Sequence, residues 1–112
     1  MASKLERDFQ RDLVNRLRKA YRGFILVAKT DAGSVQGMPD LIVLCGSQYA
    51  LLEVKRSGTA SKRPNQGYYI DHFGKDTFTS FIYPENEEEV VWGMCEFFGL
   101  DPNIYLDLKR NR

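Results

Sequence analysis

Residues 37–55 read GMPDLIVLCGSQYALLEVK, in which two apolar runs are separated by a short polar segment. The runs Leu41–Cys45 and Tyr49–Lys55 are typical of β-strands, and Gly46 followed by Ser47 is typical of a turn. Because so few residues connect the two runs, the strands are expected to be antiparallel neighbours in a β-hairpin. This hairpin is the predicted centre of the fold.

Three charged side chains of the hairpin do not fit a role in packing alone. Asp40 directly follows Pro39 at the start of the first strand, and Glu53 lies in an apolar strand, where burial of an unpaired carboxylate is costly. Strand periodicity places Glu53 and Lys55 on one face and Val54 on the other. If the two strands pair, Asp40 lies opposite the end at which Glu53 and Lys55 emerge. Two carboxylates and an ammonium are then predicted to meet at one edge of the sheet.

This combination of groups has a recognisable chemistry. Magnesium and manganese bind hard oxygen ligands, commonly one or two carboxylates together with waters and substrate phosphate. A nearby lysine can stabilise a pentavalent phosphate, or help to orient and deprotonate an attacking water. The alternative is that Glu53 and Lys55 form only a salt bridge on an exposed strand face. The upstream Pro39-Asp40 pair and the basic loop after Lys55 favour the catalytic interpretation.

The flanking sequence predicts helices and two further strands around the hairpin. Apolar residues at three- and four-residue spacing indicate a helix over residues 3–22, and the apolar run Phe24–Ala28 indicates a buried strand. Pro64 suits the first turn of a helix that continues to about Phe73. Alternation predicts a strand over Thr77–Tyr83, and residues 84–99 are typical of a helix with acids in its first turn. The predicted order is α-β-β-β-α-β-α, an α/β domain with a small mixed sheet flanked by helices.

Length and charge narrow the class of protein. A chain of 112 residues favours a single domain, here residues 1–112, ending in a short basic tail that contains Lys109, Arg110 and Arg112. The net charge is only +1, but basic residues predominate before residue 77 and acids predominate in residues 85–89. This asymmetry allows one face to meet a polyanion.

The chain is expected to act inside a cell, without contact with a membrane. No apolar run approaches the roughly 18 residues that a membrane span requires, and the first residues are charged, unlike a signal peptide. Cys45 and Cys95 lie in apolar segments and are predicted to be buried thiols in a reducing compartment.

The segments GMPDLIVL and LLEVK resemble the signature of the PD-(D/E)XK nuclease superfamily, with Pro39-Asp40 and Glu53-Val54-Lys55 as the two halves of the motif. An opening helix with a glutamate, a glycine-rich turn before Asp40 and a glutamine on the next helix are similar to the small VRR-NUC-type branch. Archaeal Holliday-junction resolvases are similar in plan, and the resemblance extends over nearly the whole chain. It implies a restriction-endonuclease-like core and a magnesium-dependent enzyme that hydrolyses DNA, with manganese as a substitute metal.

The resemblance also implies roles for individual residues. The implied catalytic residues are Asp40, Glu53, Lys55 and Gln66, and the implied metal ligands are Glu6, Asp40, Glu53 and Val54. Glu6 has independent support, because on a helical projection it falls within the arc of apolar residues that faces the core. The alternatives are that Glu6 is solvated near the start of its helix and that Gln66 is a surface glutamine.

Polar and basic side chains on both sides of this site are predicted to hold phosphates without reading bases. They are Lys29, Ser34, Gln36, Arg56, Lys62 and Arg63. For any one of them a solvated loop position is an equally good interpretation, so the prediction depends on the cluster. His72, the only histidine, is more typical of a surface or half-buried imidazole than of a catalytic group.

The favoured hypothesis is a divalent-metal endonuclease selective for branched DNA such as Holliday junctions, active as a homodimer because such substrates need two coordinated cuts. Interface candidates are the strand segment 78–83 and the aromatic residues Tyr68, Tyr69 and Phe73. So compact a nuclease suits a phage or mobile element and would act in the host cytoplasm. The alternatives are a non-catalytic nucleic-acid-binding module on the same fold, a simple duplex-nicking or RNA-directed nuclease, and an assembly protein that uses the acidic helix 85–98 as a partner surface.

Overall fold

The structure, a computed structural model, describes residues 3–30, 38–59 and 77–111. The helices are α1 (Lys4–Ala20), α2 (Glu87–Phe98) and α3 (Pro102–Arg110), and a single 3-10 turn (Pro84–Asn86) precedes α2. The strands are β1 (Leu26–Lys29), β2 (Leu41–Cys45), β3 (Gln48–Val54) and β4 (Phe78–Ile82). The helix predicted from Pro64 to Phe73 lies outside the described residues.

The four described strands form one sheet in the order β1-β2-β3-β4. β2 is antiparallel to both β1 and β3, whereas β3 and β4 are parallel, so the sheet is mixed. The end of β1, the start of β2 and the ends of β3 and β4 therefore meet at one end of the sheet, which we call the site end. The predicted hairpin is confirmed, since Leu41 pairs with Leu52 and Cys45 pairs with Gln48. The coarse prediction of an α/β fold with a small mixed sheet flanked by helices is also confirmed.

One face of the sheet carries the hydrophobic core. Its buried strand residues are Val27, Leu41, Val43, Ala50, Leu52, Val54 and Ile82. The helices supply the other half of the same cluster through Leu13, Val14, Leu17, Val91, Met94 and Cys95. Because strand side chains alternate between faces, Asp40, Glu53 and Lys55 project from the opposite face to the core residues Leu41, Leu52 and Val54.

Helix α1 is positioned by its caps and by contacts with the C-terminal part of the chain. The Ser3 hydroxyl accepts a hydrogen bond from the Glu6 N–H at 3.1 Å, as an N-cap residue does. At the other end, the Tyr21 hydroxyl donates to the Asp101 carbonyl at 2.7 Å. The predicted helix over residues 3–22 is confirmed, although its last turn ends at Ala20.

The prediction of a buried strand over Phe24–Ala28 is wrong in position and in burial. The strand runs from Leu26 to Lys29, and Val27 is its only buried residue. Phe24 and Leu26 expose 68% and 59% of their surface. The physical reason is that Leu26 lies on the sheet face opposite the core, where its cross-strand partner Leu44 on the inner strand β2 is exposed as well.

The predicted basic tail is also wrong, because residues 102–110 form helix α3. The Asp101 side chain accepts from the Asn103 N–H at 3.0 Å, and Pro102 occupies the first turn, so the helix has ordinary start signals. Tyr105 and Leu106 are buried. Arg112 lies outside the described residues.

Helix α2 agrees with the prediction for residues 84–99. It ends at Gly99, whose φ of 76° is in the left-handed region, and the Gly99 N–H closes the last turn. Its acidic first turn is partly neutralised within the chain, since Glu87 pairs with Arg16 and Lys109 at 2.8 and 3.2 Å. Glu88 pairs with Lys109 at 3.4 Å. These contacts reduce the acidic surface that α2 offers to a partner.

Cys95 is buried as predicted, whereas Cys45 is only half-buried, and both are free thiols. Within residues 3–30, 38–59 and 77–111, no helix combines the length and apolar character needed to cross a membrane.

Candidate active site

The hairpin brings Asp40 and Glu53 together at the site end of the sheet. Leu41 pairs with Leu52, so the next position along each strand places Asp40 opposite Glu53. Glu53 also pairs with Phe81 in the parallel strand β4, which makes β3 an inner strand at this point. The sequence-based prediction that Asp40 lies opposite the end where Glu53 emerges is confirmed.

Each of the two carboxylates is bound by the backbone of the other strand. The Asp40 N–H donates to Glu53 Oε1 at 3.1 Å, and the Val54 N–H donates to Asp40 Oδ2 at 2.8 Å. These reciprocal hydrogen bonds fix both side chains against the end of the hairpin. Hydrogen bonds from N–H groups to ionised carboxylates are among the stronger ones in proteins.

Lys55 completes the predicted trio. Its Nζ lies 3.7 Å from Glu53 Oε2, and the two side chains expose only 7% and 1% of their surface. The Lys55 N–H donates to the Ile82 carbonyl at 2.9 Å, which holds the residue beside the end of β4. The salt bridge of the alternative interpretation is present, but the pair is buried and not on an exposed strand face.

The backbone of Pro39 and Asp40 is anchored to the end of β1 by Thr30. The Thr30 hydroxyl donates to the Pro39 carbonyl at 2.7 Å, and the Thr30 N–H donates to the Asp40 carbonyl at 2.9 Å. Sequence reasoning missed Thr30. A hydroxyl residue at the end of a strand is too common a feature to have identified it. Its role depends on the pairing of β1 with β2, which a local pattern does not contain.

On the β4 side, the segment after Lys55 contacts the start of the 3-10 turn. The Gly58 N–H donates to Glu85 Oε1 at 3.2 Å. A Cβ on Gly58 would lie 3.0 Å from Cε2 of the Tyr83 ring, so only glycine fits here without movement of that ring. Tyr83 and Glu85 thus border the site, although sequence reasoning did not assign them to it.

The structure places two of the predicted phosphate-binding residues. Lys29 is exposed at the end of β1 and pairs with Leu41, the residue after Asp40. Arg56 is exposed directly after Lys55. The other predicted residues of the site, Ser34, Gln36, Lys62, Arg63 and Gln66, lie outside the described residues, as does His72.

Glu6 is not brought together with the two carboxylates. It is half-buried in the first turn of α1, where its N–H is bound by Ser3. Among the residues that the structure describes, no three His, Cys, Asp or Glu side chains are grouped so that they could hold a metal ion. In this part of the chain, the acidic centre of the site is therefore the pair Asp40 and Glu53.

The donor set of this pair suits magnesium or manganese chemically. Both side chains present hard carboxylate oxygens, and their positions are fixed by the hydrogen bonds from the Val54 and Asp40 N–H groups. Mg²⁺ is commonly bound through one or two carboxylates, with waters and substrate phosphate as the remaining ligands. Val54 can contribute only its main-chain carbonyl oxygen, because its side chain is buried in the core.

No protein-family model matches the chain, and a comparison with curated proteins finds no match. The function must therefore be inferred from the geometry and chemistry of the residues themselves.

Proposed function

We propose that the protein is a divalent-metal-dependent endonuclease that hydrolyses DNA phosphodiester bonds at the site end of the sheet. The observation that carries the proposal is the hydrogen-bonded pair of carboxylates, Asp40 and Glu53, with the Lys55 ammonium 3.7 Å from Glu53. Two acids and a lysine at one hairpin end form the arrangement expected for phosphoryl transfer to water.

Asp40 and Glu53 would hold the metal. Their positions are fixed by the N–H hydrogen bond that each carboxylate accepts from the opposite strand. A bound Mg²⁺ would supply Lewis-acid stabilisation of the negative charge on the phosphate. Val54 directly follows Glu53 and its N–H donates to Asp40, and its main-chain carbonyl oxygen is the third group assigned to the metal.

Lys55 would act on the phosphate or on the attacking water. In hydrolysis, the water oxygen forms a bond to phosphorus, one P–O ester bond breaks, and the departing oxygen takes up a proton. An ammonium held beside the carboxylates can stabilise the charge that develops on the phosphate, or can orient the water. Because Lys55 is buried and bound through its backbone to Ile82, its position is set before substrate arrives.

The substrate would be held by phosphate contacts rather than by contacts with bases. Lys29, at the end of β1, and Arg56, directly after Lys55, are exposed at the site end of the sheet and suit the DNA backbone. As a finer part of the proposal, the enzyme is a homodimer that prefers branched DNA, since one site cuts one strand and a symmetric junction needs two cuts.

The main rival is a module that binds nucleic acid without cutting it. The rival retains Lys29 and Arg56 as phosphate contacts, but it gives no reason for two carboxylates to be fixed next to each other where a polyanion would bind. This contrast favours the enzymatic function.

Nuclease assays on plasmid, linear duplex, four-way junction and RNA substrates, each with and without Mg²⁺, test the proposal. The matched variant is Asp40→Asn, because the amide oxygen can still accept from the Val54 N–H and the fold is expected to survive. We expect magnesium-dependent DNA cleavage by the wild type, and loss of both cleavage and the thermal shift with magnesium in the variant. Full activity of Asp40→Asn would rule out Asp40 as a metal ligand. Preferential cleavage of RNA would make RNA, and not DNA, the substrate.

A further inference from the structure

Helix α1 carries a row of cations that the site described above does not use. Lys4, Arg7, Arg11 and Arg18 are all exposed, and at about 100° per residue they fall within an arc of about 60° on the helix. Arg22, also exposed, continues the row in the turn after the helix. We call these five residues the α1 cation row.

The row lies on the side of α1 that borders the edge strand β1. The Arg18 guanidinium donates to the Val27 carbonyl at 2.8 Å, which fixes this side of the helix against β1. Near the start of the helix, a concave surface is lined by Lys4, Arg7, Asp8, Gln10, Arg11 and Lys29. Towards its end, a second concave surface is lined by Asn15, Arg18, Lys19, Arg22, Gly23 and Ile25.

Lys29 connects the row to the candidate active site. It belongs to the concave surface near the start of α1, and in the sheet it pairs with Leu41, the residue after Asp40. Because cross-strand partners share a face, Lys29 lies on the face of the sheet that α1 covers, opposite to Asp40 and Glu53. A polyanion at the site end would therefore reach α1 by passing round the β1 edge at Lys29.

Most of this charge is not neutralised within the chain. Arg11 pairs with Asp8 and Asp12, each at 3.3 Å, and these acids lie beside the row. In the part of the chain that the structure describes, Lys4, Arg7 and Arg22 form no ion pair with an acid. Like charges three or four residues apart destabilise an isolated helix. The repulsion within the row therefore destabilises α1, and a bound anion would offset this repulsion.

The length and shape of the row identify the kind of anion. From Lys4 to Arg18 the helix rises about 21 Å at about 1.5 Å per residue, which is far longer than one phosphate. Duplex DNA carries a negative charge about every 1.7 Å along its axis and so offers a matching line of charge. The concave surfaces between α1 and β1 suit a rod better than they suit a flat membrane.

We propose that the α1 cation row binds the phosphate backbone of duplex DNA on one side of the bond that is cut. The proposal rests on the proposed nuclease function for the position of the cut, but its contacts are separate from Asp40, Glu53 and Lys55. It makes α1 a second contact surface that holds the arm of the substrate.

The test compares single charge removals. Arg7→Gln and Arg22→Gln remove cations of the row, and Arg110→Gln, an exposed cation on α3 that lies 3.5 Å from Glu88, is the matched control. Binding to a duplex of about 24 bp, roughly two helical turns, is measured by fluorescence anisotropy without divalent cations and over a range of salt.

Loss of one phosphate contact lowers the salt slope of log K by about 0.9, which at about 0.1 M salt corresponds to roughly 8-fold weaker binding. We expect this loss for both row variants and no change in slope for Arg110→Gln. Equal effects of all three variants would overturn the proposal, because the row would then act only through net charge. Binding of the same strength to RNA or to anionic vesicles, with none to DNA, would also overturn it.

The two proposals fail in distinguishable ways. If the wild type binds duplex through the row but does not cut it with magnesium, the nuclease function is wrong and the contact surface stands. If it cuts DNA and the row variants bind with unchanged salt slopes, the contact surface alone is wrong.

Discussion

Two buried glutamates with different surroundings provide a direct test of which acid serves the reaction. Glu53 exposes 1% of its surface and Glu87 exposes 3%, and each has a cation beside it. Glu53 lies at a hairpin end next to a second carboxylate, whereas Glu87 lies between helices and is bound by Arg16 and Lys109. We predict that Glu53→Gln abolishes cleavage with little loss of stability. Glu87→Gln should lower the stability and leave the cleavage rate close to that of the wild type.

For Glu53→Gln, the opposing changes in charge limit the effect on stability. The variant loses the attraction to Lys55, 3.7 Å away, but it also loses the repulsion from Asp40. The amide oxygen can still accept the hydrogen bond from the Asp40 N–H. We expect the free energy of unfolding to change by no more than about 1 kcal/mol, the usual net value of one hydrogen bond. The rate of cleavage should fall by about 10²-fold or more, because a charged group acting on the phosphate through the metal is gone.

For Glu87→Gln, the loss of two ion pairs is not offset by relief of a repulsion like that between Glu53 and Asp40. The carboxylate lies 2.8 Å from the Arg16 guanidinium and 3.2 Å from Lys109 Nζ, and it accepts a hydrogen bond from the buried Tyr105 hydroxyl. Breaking a buried ion pair costs about 3–5 kcal/mol, and the lower end applies because the amide oxygen can still accept from Tyr105. For a domain of about 100 residues, a loss of about 3 kcal/mol lowers Tm by at least about 12 °C.

Calorimetry or circular dichroism measures Tm for the wild type and both variants, and cleavage is measured well below the lowest Tm. Glu87→Gln should then cut DNA at close to the wild-type rate per folded molecule. The reasoning is refuted if Glu53→Gln lowers Tm as much as Glu87→Gln and yet retains its rate, since Glu53 would then be a structural ion-pair partner only.

Three further predictions concern Lys55, the pH dependence of Glu87 and the oligomeric state. Lys55→Ala should lower the rate by about 10²-fold or more while weakening DNA binding far less, and equal losses would make Lys55 a phosphate clamp. Burial alone would raise the pKa of Glu87, but Tyr105, Arg16 and Lys109 together lower it, so its stabilisation is present above the unfolded pKa and lost as pH falls through the folded pKa. The Tm difference between wild type and Glu87→Gln should therefore shrink in acid. Light scattering should give a dimer mass, and a strict monomer that cuts linear duplex as fast as a junction would leave a simple nicking enzyme.

The parts of the fold that could be predicted from the sequence are those determined by local pattern. The hairpin was predictable because its strands are adjacent in sequence and Gly46 and Ser47 leave room only for a tight connection. Helix α1 was predictable because a core-facing stripe recurs at helical spacing, and α2 because acids begin it and Gly99 ends it. Each of these signals lies within about 20 residues of chain.

The parts that could not be predicted depend on neighbours far along the chain. The exposure of Leu26 is determined by the sheet face on which it lies, opposite the core, and the apolar run itself contains no such information. Helix α3 is held by contacts with distant elements, including the hydrogen bond from Arg16 to the Tyr105 hydroxyl at 3.1 Å. Its basic last turn, read alone, is as typical of a tail as of a helix end. The same reason explains why Thr30, Tyr83 and Glu85 were not assigned to the site.

The candidate site was predictable to the extent that the hairpin alone creates it. The Asp40 and Glu53 carboxylates each accept a hydrogen bond from the backbone of the opposite strand, so closing the hairpin aligns both acids. Lys55 lies beside Glu53 because strand periodicity places both side chains on one face. Catalytic groups that are fixed by rigid elements need no reorganisation when substrate binds, and such preorganisation is a large contribution to catalysis in water-excluded sites. A substitution that weakens the anchoring of Asp40 without replacing any of the three residues is Thr30→Val, which removes the hydroxyl contacts to the Pro39 and Asp40 carbonyls at 2.7 and 3.3 Å. It should therefore lower the rate more than it lowers DNA affinity.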